Sequence, residues 1–270
     1  MSPVLIPGLL ILGAFTGFCA GLLGVGGGML MVPFLTLFYT AMQVSDSHIV
    51  HMAIATSMAT ILFTSLSSVR AHHKRGAVRW GIVLALAPGI LVGGLIGGGK
   101  IFSVLKTGWL SLLFAVFVGF SALQMLRSRR PPAARRLPGT PGMVGVGSVI
   151  GLISSLVGAG GGFISVPFMT WCNVPIHNAV ATSAALGFPI ALASVVGYVW
   201  GGWDVGGLPA GSLGYVYLPA LGIIAIASVL TAPLGARAAH NMDVNALRRV
   251  FAVLLACLAS YMLWKAWRTF

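Results

Sequence analysis

The chain alternates long apolar runs with short polar or basic joints from end to end. A helix of about 20 apolar residues crosses a bilayer, and the runs divide into segments on that scale. Pro3–Leu23 is one full span. Glycine then interrupts the run, and Met29–Ala41 is only about half a span. Ser45-Asp46-Ser47 has the residue types of a helix cap and opens a segment reaching about Arg70. Gly81–Gly99, with Pro88 as an expected kink, and Gly108–Leu126 complete the first half. The second half repeats the plan: Gly142–Val157, a glycine interruption, the short Phe163–Cys172, then Ile176–Trp200 with Pro189 inside it. Asn173-Val-Pro175 is expected to cap that last segment, with proline in its first turn. Leu213–Ala239 and Leu247–Trp267 close the chain.

The repetition extends to individual residues. GFCAGLLGVGGGMLMVPFLT (17–36) returns as GLISSLVGAGGGFISVPFMT (151–170), with 10 of 20 positions identical at an offset of 134. His51-Met-Ala-Ile-Ala-Thr-Ser57 pairs with His177-Asn-Ala-Val-Ala-Thr-Ser183, and Gly97 pairs loosely with Gly235. Two glycine breaks at matching places in two halves point to a transporter's binding site, because backbone freed at membrane depth is tolerated only where protein or a cavity satisfies it. The expected architecture is all-α: a polytopic membrane protein of two five-segment halves, residues 1–127 and 141–270, joined by a linker over 128–140. The short second arms favour broken helices or re-entrant hairpins at the breaks over full spans.

Composition agrees. The 270 residues are 58% hydrophobic and 7% charged, where a soluble domain carries about 25% charged residues. The net charge of +13 does not imply nucleic acid, because the basic residues sit in short loops between apolar spans, where the positive-inside rule accounts for them. Loops 70–79 and 127–136 carry four and five Lys/Arg and are expected in the cytoplasm. Parity then puts Arg237, Arg248 and Arg249 inside as well, so that 12 of the 16 positive charges are inside, with Lys100, Lys106 and both termini outside. The halves are therefore expected to form an inverted repeat. No Lys or Arg precedes Arg70, so the N-terminus lacks the charged region of a signal peptide.

The duplicated G-x-G-G-G-x-x-x-V-P-F motif, the Ala-Thr-Ser after each break and the basic mid-chain linker resemble the TauE/SafE family across essentially the whole chain. The resemblance implies a transporter of small sulfur-containing anions, sulfite or organosulfonate, in a multi-pass membrane location, the bacterial inner membrane.

Read physically, Gly26, Gly27 and Gly28, and Gly160, Gly161 and Gly162, each precede a half-helix whose N-terminus carries about half a positive charge. Exposed amides there suit an oxyanion without an Arg. The competing role for these glycines is close helix packing. Thr56, Ser57, Thr60, Thr64 and Ser67 share one face of the third segment, with Thr182 and Ser183 as counterparts of Thr56 and Ser57. Their hydroxyls either line a wet path or bond their own helix. His51 and His177, also counterparts, suit capping, packing, or a substrate or proton role.

Other chemistry is absent from the pattern. Asp46, Asp204 and Asp243 lie at loop edges, so no intramembrane carboxylate relays protons. His48 and His51 lack further ligands for zinc. Cys19, Cys172 and Cys257 are widely spaced packing residues. The glycine spacing breaks a dinucleotide fingerprint. With no nucleophile–base pair, an enzyme is not expected, nor a cofactor. The expected partners are the anion and the lipid bilayer, without nucleic acid; oligomeric state stays open, with a homodimer among the options. An inside-negative potential drives a monoanion outward by about 2.3 kcal/mol per 100 mV, which favours export. Proton-coupled uptake and a non-transporting scaffold subunit are the alternatives.

Overall fold

The computed structural model describes residues 5–23, 27–127, 136–241 and 244–269. Gly24, Gly26, Asp243 and most of the expected linker therefore lie outside the described residues. The first half comprises α1 (Leu5–Leu23), α2 (Gly28–Ala41), α3 (Ile49–His73), α4 (Trp80–Ile96) and, after a kink at Gly99 within Gly97–Ile101, the short α5 (Phe102–Val104), then α6 (Thr107–Arg127). The second comprises α7 (Thr140–Val157), α8 (Gly162–Trp171), α9 (Ile176–Gly201), a two-stranded hairpin of β1 (Ser212–Leu213) and β2 (Val216–Tyr217), α10 (Leu218–Asn241) and α11 (Val244–Thr269). Among the described residues, 8 helical spans are long and apolar enough to cross a membrane. The chain is an all-α polytopic membrane protein.

Several local expectations change. No side chain caps α3: its N-cap is His48, and the Ser45 and Ser47 hydroxyls bond each other at 2.9 Å. The Ser45 carbonyl instead accepts the His48 and Ile49 amides at 2.9 and 3.2 Å, so backbone closes the turn. α9 starts after Pro175, while Asn173 adopts a left-handed turn (φ 63°). Leu213, the expected start of a helix, lies in the hairpin, whose turn contains Gly214 at φ 54°.

The two halves interlock. α1 packs on α10 and α4 on α7, so each half lends a helix to the other. Close approach comes from glycine. A β-carbon at Gly13 would strike the backbone of Ile224, at Gly17 that of Ser228, and at Gly21 that of Ala232. The matching pair has the same register: Gly147 abuts Leu86 and Gly151 abuts Ile90. The loose sequence pairing of Gly97 with Gly235 has a counterpart here, since they abut Leu152 and Phe18, themselves 134 apart. In both pairs the helices run parallel. α3 and α9 form the centre and run antiparallel: Asn178 donates to the Ala77 carbonyl at 2.8 Å, whereas Gly187 faces Ile61 and Ser65. α6 and α11 are likewise antiparallel, with Thr107 and Lys265 both reaching the α2–α3 loop, at Ser47 and Asp46, and Gly119 opposite Ala259.

Candidate functional site

The sequence turns the chain back at both glycine breaks by backbone geometry alone. Gly27 and Gly161 are the N-caps of α2 and α8, at φ 68° and 74°, in the left-handed region that glycine enters without penalty. Each cap carbonyl accepts the third and fourth amides of its helix: Leu30 and Met31 at Gly27 (3.2 and 3.3 Å), Ile164 and Ser165 at Gly161 (3.1 and 2.9 Å). No cap side chain bonds the helix end, and the amides of Gly28, Met29, Gly162 and Phe163 have no intrahelical acceptor.

The breaks meet inside the bundle. α1 extends until Gly21 accepts a hydrogen bond from His72 Nε2 near the end of α3 (3.2 Å), yet α2 begins beside Ser57 in the middle of α3. α2 is thus a half-helix starting at mid-depth. Gly28 abuts the Gly158 carbonyl, and Ser57 Oγ is 3.4 Å from both the Gly28 and Gly158 carbonyl oxygens. α7 mirrors α1: Tyr198, counterpart of His72 at an offset of 126, donates to the Ser155 carbonyl, counterpart of Gly21 at 134.

A small cavity of about 10 Å³, room for about one water, opens beside this meeting point. Gly160, Ser183, Thr64, Ser65 and Ser68 give it polar walls, and Ala20, Ala184 and Gly187 leave the space; none of these groups is ionisable. Ser183 accepts from Ser165 Oγ at 2.9 Å. Thr64 donates to the Thr60 carbonyl at 3.0 Å and pairs with Ser228 Oγ at 2.8 Å. Ser65 donates to Leu62 at 3.2 Å. Ser68 Oγ is buried with no partner among the described residues.

The remaining expected residues are placed elsewhere. Thr56 and Thr182 tie the halves together. The Thr56 hydroxyl accepts the Tyr217 amide just before α10 (3.1 Å) and bonds the Tyr39 hydroxyl (2.8 Å), while Thr182 accepts the Arg79 amide just before α4 (3.0 Å). Arg79 and Tyr217 are counterparts at an offset of 138. Ser67 turns away to the Val229 carbonyl of α10 at 2.8 Å. Gly26 lies outside the described residues.

The two histidines sit at opposite ends. His51 is buried, its Nε2–H donating to the Leu105 and Phe102 carbonyls (2.9 and 3.2 Å) while its ring stacks on Tyr215 at 5.1 Å. Tyr215 also meets Phe102 edge-on at 5.7 Å, so an aromatic layer packs across this end. His177 is exposed at the other end, where the counterpart of Tyr215 is Ala77. The pattern of the chain alone does not single out Ser65 and Ser68; the signal available was the density of hydroxyls in Ser65, Ser67 and Ser68 within an apolar span.

Known proteins resemble this chain along most of its length. Residues 9–262 match the sulfite exporter TauE/SafE family. A probable membrane transporter protein of Haemophilus influenzae is 35% identical over 95% of this chain and 97% of its own. Another, from Methanocaldococcus jannaschii, is 26% identical over 96% of each chain, and one from Bacillus subtilis is 30% identical over 71% of this chain and 76% of its own. No solved structure matches. Glycine breaks, spans and relatives lead to one conclusion: the chain belongs to the sulfite exporter TauE/SafE family of membrane transporters.

Proposed function

We propose that this protein carries a small sulfur-containing anion, sulfite or a sulfonate, out of the cell by alternating access around its two glycine breaks. The observation that carries this reading is the meeting of Gly28 and Gly158 beside a small cavity that has hydroxyls in its wall and no ionisable group among its described lining residues. Two half-helices begin there, and their N-termini bring partial positive charge and amides without intrahelical acceptors. That suits an anion and disfavours a cation.

The opposite directions of α3 and α9, and of α6 and α11, support an inverted repeat whose halves cross the bilayer in opposite senses. The basic loops then put the Arg70–Arg79 joint in the cytoplasm and the end with the aromatic layer and the hairpin outside. Export follows from energetics: a monoanion leaves down an inside-negative potential without a coupling ion, by about 2.3 kcal/mol per 100 mV. Proton-coupled uptake through His51 and His177 draws little support, since neither histidine borders the cavity.

The test is flux of labelled sulfite or methanesulfonate in proteoliposomes of the purified chain. A potential imposed without a pH gradient should drive the anion toward the positive side. Flux that requires a pH gradient and vanishes in a His51→Ala/His177→Ala double variant would overturn export by potential alone. No flux of either anion under any gradient would leave the scaffold reading in its place.

A further inference from the structure

Hydroxyls in apolar helices commonly donate to a carbonyl three or four residues back, and those of α3 that do not bond a neighbouring segment follow this pattern up to Ser65. Thr60 donates to Thr56 (2.9 Å), Thr64 to Thr60 (3.0 Å) and Ser65 to Leu62 (3.2 Å). Ser68 breaks the pattern. Its Oγ is buried, the residue is 2% exposed, and no group among the described residues bonds it. A buried hydroxyl without a partner costs about 1–3 kcal/mol, so such a group in a cavity wall marks a place where something else accepts its proton. The other half supplies the comparison. The counterpart of Ser68, at an offset of 126, is Ser194, and it donates to Ile190 at 2.8 Å in the ordinary way. The counterparts of Thr64 and Ser65 are Ile190 and Ala191, which carry no hydroxyl. The hydroxyl cluster therefore exists on only one side of the exchange between halves, and Ser68 alone within it has its donor to spare.

The chemistry of the walls limits the occupant. It must accept a hydrogen bond, and the walls, which enclose only about 10 Å³ as they stand, must part to admit anything larger than a water. It also meets no cationic side chain among the described residues. One negative charge can be met by hydroxyl donors and the N-terminal end of α8. A second charge raises the desolvation cost about fourfold, since that cost grows as the square of the charge, with no Lys or Arg to offset it. The Gly160 carbonyl oxygen, 3.9 Å from the β-position of Gly187 at the cavity edge, repels it further. We propose that Ser68 is the specificity-determining donor of this cavity and that it selects singly charged oxyanions over doubly charged ones. This rests on the anion-transport reading above and adds to it the charge state and the residue that reads it.

The experiment compares Ser68→Ala with wild type in proteoliposomes of the full chain, using labelled methanesulfonate as the monoanion and sulfate as the dianionic competitor. Loss of one hydrogen bond to a charged group predicts half-saturation weakened about ten- to hundred-fold in Ser68→Ala. Ser68→Thr, which keeps the hydroxyl, should retain most of the affinity, and this guards against a mere folding defect. Ser67→Ala and Ser194→Ala should match wild type. Sulfate should compete poorly. Methanesulfonate flux that is normal in wild type and equally normal in Ser68→Ala would overturn the assignment of Ser68 and leave anion transport standing. Sulfate competing as well as unlabelled methanesulfonate would overturn the charge selection. Absence of wild-type flux would overturn both the inference and the reading beneath it.

Discussion

Replacing Tyr215 by Ala should loosen one end of the protein and not the other. Tyr215 is 3% exposed; it stacks on His51 at 5.1 Å and meets Phe102 edge-on at 5.7 Å. Aromatic contacts of this kind contribute about 0.5–1.5 kcal/mol each beyond the area they bury, so the two together hold the layer closed by about 1–3 kcal/mol. Opening this end must part the rings, and their loss favours the open state by roughly 5- to 150-fold at 1.4 kcal/mol per tenfold. Ser57, fully buried against Gly28 and Gly158, is the reporter. With Cys19, Cys172 and Cys257 replaced, Ser57→Cys is treated with a membrane-impermeant thiol reagent. Trp203→Cys, on the exposed loop before the hairpin, identifies the face from which this end is reached. Tyr215→Ala should raise the labelling rate of Ser57→Cys from that face by the stated factor. An unchanged rate in a folded variant would refute the reasoning.

Three further outcomes are expected. Thr182→Val removes the acceptor of the Arg79 amide and should destabilise the detergent-purified protein by about 1–3 kcal/mol in thermal unfolding, with Thr170→Val, whose hydroxyl bonds only its own helix, as the mild control. Gly93→Leu forces a side chain into the backbone of Ser148 and should cost at least about 1–3 kcal/mol or abolish folded yield, whereas Gly81→Leu, with open space around it, should not. Reporter fusions at either terminus should be active only outside the cytoplasm, and a reporter inserted near residue 133 only within it; terminal fusions active in the cytoplasm would refute the inverted topology.

The glycine breaks were legible because they are chemically loud. Three consecutive glycines in an apolar run, repeated 134 residues later, interrupt a helix wherever they fall, and the short arms after them read directly as half-helices. The cavity was less legible because helical periodicity leaves a choice after Thr64: Ser67 at i+3 and Ser68 at i+4 both continue the face. Which neighbour stands on each side decides it, and α10 takes Ser67 while the cavity takes Ser68. The hairpin was hidden for a different reason. Leu213, Val216 and Tyr217 are apolar and run into α10 without a polar residue between, so hydropathy merges them with the helix. The partners of Thr56 and Thr182 could not be read either, since each hydroxyl meets a backbone amide of the other half, which no side-chain pattern records.

The exchange of helices between halves also sets a schedule for biogenesis. α1 is complete at Leu23, but the helix it packs against does not begin until Leu218, about 200 residues later, or roughly 10–40 s of synthesis at 5–20 residues per second. For that interval α1 waits with its Gly13, Gly17 and Gly21 face uncovered. A polar face would be hazardous there; a glycine face exposes little to lipid, and Thr16 already donates to its own Leu12 carbonyl at 2.7 Å. α10 arrives in the same condition, with Ser228 bonded to Ala225 (3.1 Å) and Thr231 to Ala227 (3.0 Å). The hydroxyls of both helices that face this contact are bonded within their own helix, so between α1 and α10 only the fit of small residues remains to be made.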